Sequence, residues 1–310
     1  MIPFLNYDSP GDIRRFLESR NLGMRKMYGQ NFLINGNARE NLLDALETGR
    51  GDAVWEIGPG IGAMTAGLLE RGALVTAFEI DRGFCAVLRE FFGGRPEFKL
   101  IEGDALKTWP ESRDAGDYLF GNLPYNTGAA LLADFIGKKR YFKRMVVTVQ
   151  KEVARRMAAK PGSKDYSSFS LLCASSYRVG LLSVLKGASF YPEPRVDSQG
   201  VRLDLIPGRE NVSYPACFFP LVRRLFASRR KTVMNNLKTF IAGVSPLFGE
   251  GEGRAAGPSA REIAGEALAL AGIRGEERAE RLGVEELSAL AAAVEKLVFQ
   301  AGALRGRSPR

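Results

Sequence analysis

Four successive residues, Asn122-Leu123-Pro124-Tyr125, bring together groups that a reaction on an aromatic amine would use. They follow Tyr118-Leu119-Phe120, which reads as the end of a buried strand. In open α/β sheets, ligands bind at the carboxyl ends of the strands. The exocyclic nitrogen of adenine is a poor nucleophile because its lone pair is delocalised into the ring. The Asn122 side-chain oxygen and a backbone carbonyl near Leu123 can accept its two N–H bonds, which orients the nitrogen and turns its lone pair toward a methyl donor. Tyr125 can stack on the base. Pro124 holds φ at about −65° and removes a competing backbone donor. The plainer reading of the tetrapeptide is a turn after a strand, since Asn and Pro are common turn residues. What precedes it decides between the two.

Upstream, Gly58-Pro59-Gly60-Ile61-Gly62-Ala63 closes one expected strand and opens a helix. Glycines there let the backbone approach a ligand closely. The hexapeptide also fits the dinucleotide fingerprint G-x-G-x-x-A, and Glu79 stands 21 residues after Gly58, near the offset of a ribose-binding acid. On this motif alone a nicotinamide dehydrogenase stays open. S-adenosylmethionine makes a different demand. It has no pyrophosphate, so it needs close backbone contact along the loop from Gly58 rather than anion capture. Its two ribose hydroxyls suit a bidentate Glu79, and its adenine amine suits Asp104 at the end of a third strand. Gly58, Glu79, Asp104 and Asn122 thus fall at four successive strand ends. A dehydrogenase has no use for the fourth, whereas an amino-methyltransferase does.

The elements that must position these residues alternate along the chain. Ser9-Pro10-Gly11-Asp12 starts a helix to about residue 20, with Ser9 as N-cap and Pro10 in the first turn. Residues 23–35 read as a loop. Strands are expected at 53–57, 74–79, 98–102, 117–120, 144–149, 178–186 and 200–206. Helices are expected at 37–48, 63–71, 82–92, 127–137, 150–159 and 168–176. This alternation predicts an α/β fold with a mainly parallel, Rossmann-like sheet between helices. After Pro207 the strand signal stops. Helices at 215–228, 230–243, 261–271 and 284–299 predict a small all-helical second domain, with the division at 207/208, a flexible loop at 248–260 and a frayed tail at 302–310.

Composition narrows the function classes. The 310 residues are 45% hydrophobic, ample for a core, and carry a net charge of +9, which favours a polyanionic partner. With no histidine, His-based acid–base catalysis and His metal sites are excluded. Cys85, Cys173 and Cys217 show no metal or disulfide spacing and read as buried thiols of a reducing compartment. No apolar run approaches the roughly 18–20 residues a membrane span needs, and Asp8, Asp12 and Glu18 interrupt any signal-peptide pattern. A cytoplasmic protein without membrane contact or metal is expected.

With these residues in hand the sequence resembles the small-subunit ribosomal RNA adenine dimethyltransferases. The matching blocks are Gly29–Leu33, Glu56–Gly62, Glu79–Asp81, Gly103–Ala105, Gly121–Asn126, Gln150–Val153, Phe190–Ser198 and Arg229–Leu237. The resemblance implies S-adenosylmethionine as methyl donor. It places the donor contacts on Asn31, Leu33, Gly58, Gly60, Glu79, Ile80, Asp104, Ala105 and Asn122. It places the target adenine by Asn122, Leu123, Pro124 and Tyr125, with Phe190 as a second aromatic wall. The implied reaction methylates N6 of two adjacent adenosines near the 3′ end of 16S rRNA, each twice, within a small ribosomal subunit or its precursor, by a monomeric enzyme. After Asn126 the family usually continues Ile-Ser-Thr; here Thr127-Gly128-Ala129 stands behind the target pocket.

Two alternatives accompany this reading. Close cousins methylate one adenosine of large-subunit RNA and share the donor site; the Arg229–Leu237 block favours the small-subunit branch. A ribosome-assembly factor that binds RNA without catalysis would have no need of the donor blocks. RNA phosphates are expected to meet basic clusters that include Lys151 and Arg155, then Arg223, Arg224, Arg229, Arg230 and Lys231. A third basic cluster, from Lys138 to Arg144, is expected to do the same.

Overall fold

The computed structural model describes residues 5–23, 31–114, 116–123, 128–244 and 258–305. The chain forms two compact units, residues 1–158 with 176–210, and residues 159–175 with 211–310.

The first unit holds α1 (Pro10–Ser19), β1 (Phe32–Leu33), α2 (Gly36–Leu46), β2 (Ala53–Ile57), α3 (Ala63–Glu70), β3 (Leu74–Glu79), α4 (Arg82–Phe92) and β4 (Phe98–Glu102). It continues with α5 (Ala105–Thr108), β5 (Tyr118–Asn122), α6 (Gly128–Gly137), β6 (Arg144–Gln150), α7 (Lys151–Ala158), β7 (Tyr177–Leu185), β8 (Phe190–Tyr191) and β9 (Ser198–Leu205). Seven strands form one sheet in the order β4-β3-β2-β5-β6-β9-β7. The first five are parallel, and β9 runs antiparallel to both β6 and β7. Central strands are apolar on both faces, as strands covered by helices on both sides must be: all five residues of β2 are buried, as are Met145–Val149 of β6.

Helix starts follow local chemistry. Ser9, Asn35, Asp81 and Asp104 each cap a helix by accepting a backbone N–H. Packing outweighs these caps. In α4, Phe84, Cys85, Val87, Leu88, Phe91 and Phe92 are all buried. Each large apolar side chain is worth roughly 1.5–3 kcal/mol, against about 1 kcal/mol for a cap. Trp55 anchors the opposite face, with the Phe78 ring at 4.9 Å, the Phe142 ring at 5.6 Å and the Arg140 guanidinium at 4.5 Å.

The second unit holds α8 (Ser168–Ser176, except its last residue), α9 (Phe218–Ala227), α10 (Val233–Val244), α11 (Ala260–Leu270) and α12 (Val284–Arg305). Leu221, Leu225, Leu237, Ile263, Leu287, Leu290 and Val294 share its core. Buried Asn236 donates to the Leu225 and Ser228 carbonyls, both at 3.2 Å, which satisfies the end of α9 from the side of α10.

Several expectations are corrected. Residues 159–175 were expected within the first domain. Instead Tyr166 and Leu171 lie in the core of the helical unit, and the Tyr166 hydroxyl donates to the Leu282 carbonyl at 3.0 Å. The expected loop 23–35 contains β1, which pairs antiparallel with β8, Leu33 opposite Phe190. Strand β9 starts at Ser198, two residues early, because Ser198 and Gln199 pair with Gln150 and Val149. Helix α12 runs on to Arg305, past the expected end at 299. Among the described residues, no helix is long and apolar enough to cross a membrane.

Candidate active site

Strand order brings the expected residues together. From β2 the chain builds outward through β3 and β4, then returns to lay β5 and β6 on the other side. The reversal lies between β2 and β5, where Ile57 pairs with Gly121, so the glycine turn and Asn122 leave adjacent strands at the same edge. That is the crevice position where doubly wound sheets bind ligands. A Cβ built on Gly58 would sit 4.0 Å from the Asn122 carbonyl oxygen, which measures how close the two motifs come.

The turn has the left-handed backbone that glycine permits, with φ of +68° at Gly58, +58° at Gly60 and +86° at Gly62. Side chains are excluded there for steric reasons too. A Cβ on Gly60 would come within 3.0 Å of the Phe32 ring, and one on Gly62 within 2.5 Å of the Phe92 ring. The turn is tied to the next strand end through Glu79, which is only 4% exposed. One Glu79 carboxylate oxygen accepts the Gly60 N–H at 3.0 Å, and the other accepts the Asp81 N–H at 2.8 Å. Burial raises the Glu79 pKa, and these backbone bonds partly offset it. Below the turn, buried Glu56 accepts the Thr65 hydroxyl at 2.7 Å. Burial pushes Glu56 up to about 8 against the pull of Thr65, and Glu79 adds to the rise.

Asp104 stands at the third strand end, capping α5 through the Leu106 N–H at 3.1 Å, and Ala105 begins that helix. Gly103 donates to the Glu79 carbonyl at 2.7 Å, which holds the second and third strand ends together. Ile80, between the two acids Glu79 and Asp81, is 41% exposed, an apolar surface open at the strand end.

Asn122 is held at both ends of its carboxamide. Its Nδ2 donates to the Asn31 carbonyl at 2.9 Å, and its Oδ1 accepts the Thr148 hydroxyl. The Leu123 N–H donates to the Thr148 carbonyl at 3.0 Å, while the Leu123 side chain is buried. Pro124 and Tyr125 lie outside the described residues.

Leu33 and Phe190 lie together in the apolar interior. Both are buried in the core shared with Val54, Phe120 and Val146. The Leu33 carbonyl already accepts the Arg39 guanidinium at 2.9 Å. Phe190 is 3% exposed, with its ring packed in that core. The β1–β8 pairing is the cause, since it lays residue 190 against Leu33.

Three neighbours of the site were missed in the sequence. Phe32 packs on Gly60. Tyr7 donates its hydroxyl to the Ile61 carbonyl at 3.0 Å. Thr148, the lone hydroxyl in the apolar run of β6, reaches Asn122. Only strand register, which pairs Asn122 with Thr148, reveals the last.

Among the basic candidates, Arg155 on α7 is exposed and Lys151 half-buried. In the helical unit Arg223, Arg230 and Lys231 are exposed and Arg224 is half-buried. Arg229 is engaged internally, with Glu280 at 2.8 Å and the Lys164 carbonyl at 3.1 Å. Of the Lys138–Arg144 cluster, Lys138, Lys143 and Arg144 pair with Asp134, Asp117 and Asp204, and Arg140 lies over Trp55. Cys85 and Cys173 are buried free thiols, each pushed up to about 12 by burial.

Comparison with known proteins places the chain in a family. A Treponema denticola protein named Ribosomal RNA small subunit methyltransferase A is 42% identical over 241 residues, covering 76% of this chain and 82% of its own. A protein of the same name from Alkaliphilus oremlandii is 32% identical over 290 residues, covering 91% of this chain and 96% of its own. A crystal structure of a dimethyladenosine transferase from Plasmodium falciparum superposes with a TM-score of 0.73 at 24% identity, covering 84% of this chain and 96% of that one, and so shares the fold. Residues 21–246 match the family described as Ribosomal RNA adenine dimethylase, a span that takes in the glycine turn, the two acidic strand ends at Glu79 and Asp104 and the clamped asparagine. By that match and by its kinship with both bacterial proteins, the chain belongs to the ribosomal RNA adenine dimethylase family.

Proposed function

We propose that this protein transfers methyl groups from S-adenosylmethionine to N6 of two adjacent adenosines near the 3′ end of 16S rRNA, giving dimethyladenosines, as a monomer acting on a small ribosomal subunit or its precursor. The observation that carries the reading is the juxtaposition of Gly58 and Asn122 at adjacent strand ends, with Glu79 tied into the same turn. Curated relatives named small-subunit methyltransferases support the substrate class.

The residues present fit the donor. Each Glu79 oxygen spends one lone pair on a backbone N–H, leaving acceptor capacity for the two ribose hydroxyls. Exposed Ile80 covers one face of the donor's adenine and Asp104 accepts its amine. The left-handed turn from Gly58 to Gly60 passes the methionine part without a Cβ in the way. Asn31, Leu33 and Ala105 contribute backbone around it.

When bound, S-adenosylmethionine supplies an electrophilic methyl carbon on a sulfonium. The chain's own residues position the nucleophile. Asn122 Oδ1 and the Leu123 carbonyl accept the two N–H groups of the target adenine. Tyr125 stacks on the base after it leaves its helix, and Phe190 supports it from the core; stacking offsets part of the unstacking cost. The N6 lone pair forms the N–C bond as the C–S bond breaks, its electron pair staying on sulfur. The alkylated nitrogen then loses its proton to water, so no strong general base is required. The main contribution is orientation. Exposed Arg155, Arg223, Arg230 and Lys231, with Lys151, Arg224 and Arg229, meet RNA phosphates.

The test is to incubate the protein with unmethylated small subunits and labelled S-adenosylmethionine, with large-subunit RNA in parallel, and to map the label by mass spectrometry. Dimethyladenosine at two adjacent positions near the 3′ end of 16S rRNA is expected. Label confined to large-subunit RNA moves the protein to the other branch. Tight subunit binding without label leaves an assembly factor.

A further inference from the structure

We infer that Thr148 is a positioning residue for methyl transfer, holding both acceptors of the target amine in register. This rests on the role proposed for Asn122 and Leu123. The two ends of the Asn122 carboxamide are distinguished by their neighbours. The Asn31 carbonyl can only accept, so it must face Nδ2, at 2.9 Å. Oδ1 is thereby turned to Thr148, whose hydroxyl donates to it. Turning the amide over would oppose two carbonyl oxygens at Asn31. Asn31 thus selects the orientation, and Thr148 fixes the angle of the amide plane.

The same residue reaches the second acceptor through its backbone. The Thr148 carbonyl accepts the Leu123 N–H at 3.0 Å, which anchors the peptide that joins Asn122 to Leu123, immediately before the Leu123 carbonyl that faces the amine. The parallel register of β5 with β6 places Thr148 directly opposite Asn122. Thr148 is 1% exposed between buried Val147 and Val149, so its hydroxyl has no solvent to turn to. An amide oxygen has two lone pairs. Thr148 uses one, and the other remains for the target N–H at a fixed angle. Thr148 touches neither donor nor base and acts through Asn122.

Thr148→Val keeps the shape and removes the hydroxyl, while Thr148→Ser retains it. With unmethylated small subunits, Thr148→Val is expected to lower kcat by roughly tenfold or more, since misplacement of reacting groups carries losses of that order. KM for the subunit and calorimetric affinity for S-adenosylmethionine stay at wild-type values. Thr148→Ser restores kcat to within about threefold, which separates the hydroxyl from mere packing. Thr148→Ala, which cannot overfill the site, serves in place of the valine variant if that melts early. A readout independent of activity is the ¹⁵N order parameter of the Asn122 side-chain amide, assigned by its loss in Asn122→Ala. It is expected to be high in wild type and Thr148→Ser and reduced in Thr148→Val. Wild-type kcat in Thr148→Val, a serine variant as impaired as the valine one, or an unchanged order parameter overturns the inference. A wild-type protein that methylates nothing sinks the proposed function instead, and the order parameter still decides whether Thr148 clamps Asn122.

Discussion

Replacing Glu79 by Gln separates the two tasks of this carboxylate. Both of its oxygens accept backbone N–H groups, from Gly60 at 3.0 Å and Asp81 at 2.8 Å. Glutamine offers one oxygen, so one N–H must face an NH₂ group. A buried donor left without a partner costs about 1–3 kcal/mol. Burial disfavours the charged form of Glu79, so neutralising it returns part of that cost, and the folded protein is expected to lose little stability. Donor binding has no such compensation. The ribose hydroxyls lose a charged acceptor, and hydrogen bonds to charged groups contribute about 1.5–3 kcal/mol. At about 1.4 kcal/mol per factor of ten, S-adenosylmethionine affinity should fall roughly 10- to 150-fold. Calorimetric titration at pH 8 measures this, with thermal melting as the control for folding. Because the folded Glu79 pKa is raised, wild-type donor affinity should also climb as pH rises through that value, and the variant should lack the climb. A donor affinity within about twofold of wild type, in a variant that melts normally, would refute the assignment of the ribose to Glu79.

Further outcomes follow from the same geometry. Asn122→Ala should lower methyl transfer by about 100-fold or more while leaving subunit binding intact in a filter assay; a near-normal rate sinks the role of the amide. Gly128→Ser should impair transfer more than donor binding, because a Cβ there would stand 2.7 Å from the Leu123 Cβ and must displace that residue; single-turnover rates against calorimetry separate the two. Glu56 has a folded pKa raised by burial to about 8 from the ordinary 4.5 of a free glutamate. Its proton is held more tightly in the folded chain, so the stabilisation is full below about pH 4.5 and is lost as pH rises through about 8. The stability gap between wild type and Glu56→Gln, followed by denaturant melts from pH 5 to 9, should therefore widen in favour of the variant by a few kcal/mol at about 1.4 kcal/mol per pKa unit. Arg223→Ala with Arg230→Ala should flatten the salt dependence of RNA binding, each lost phosphate contact removing close to one unit of slope; an unchanged slope removes the helical unit from the phosphate footprint.

The kind of chemistry was legible in the sequence because strand ends announce themselves locally. A short apolar run followed by Gly58-Pro-Gly, by Glu79, by Gly103-Asp104 or by Gly121-Asn122 marks both the strand and the group it delivers. Caps at Ser9, Asp81 and Asp104 are equally local, since each side chain bonds a backbone N–H two or three residues on. The resemblance drew on the same short blocks. What the chain's own order could not supply was lateral neighbourhood. Gly58 and Asn122 are far apart in sequence and meet only because β5 inserts beside β2. Thr148 becomes part of the site through the register of β6, and a shift of one residue would turn its hydroxyl to the other face. Phe190 comes to lie against Leu33 only through the β1–β8 pair. Residues 159–175 read as part of the sheet domain until Tyr166 and Leu171 find their apolar partners among the later helices. Sequence determined which groups stand at the strand ends, because those signals act over a few residues. Tertiary structure decided which of them touch, because strand order and burial are set by contacts between segments distant along the chain.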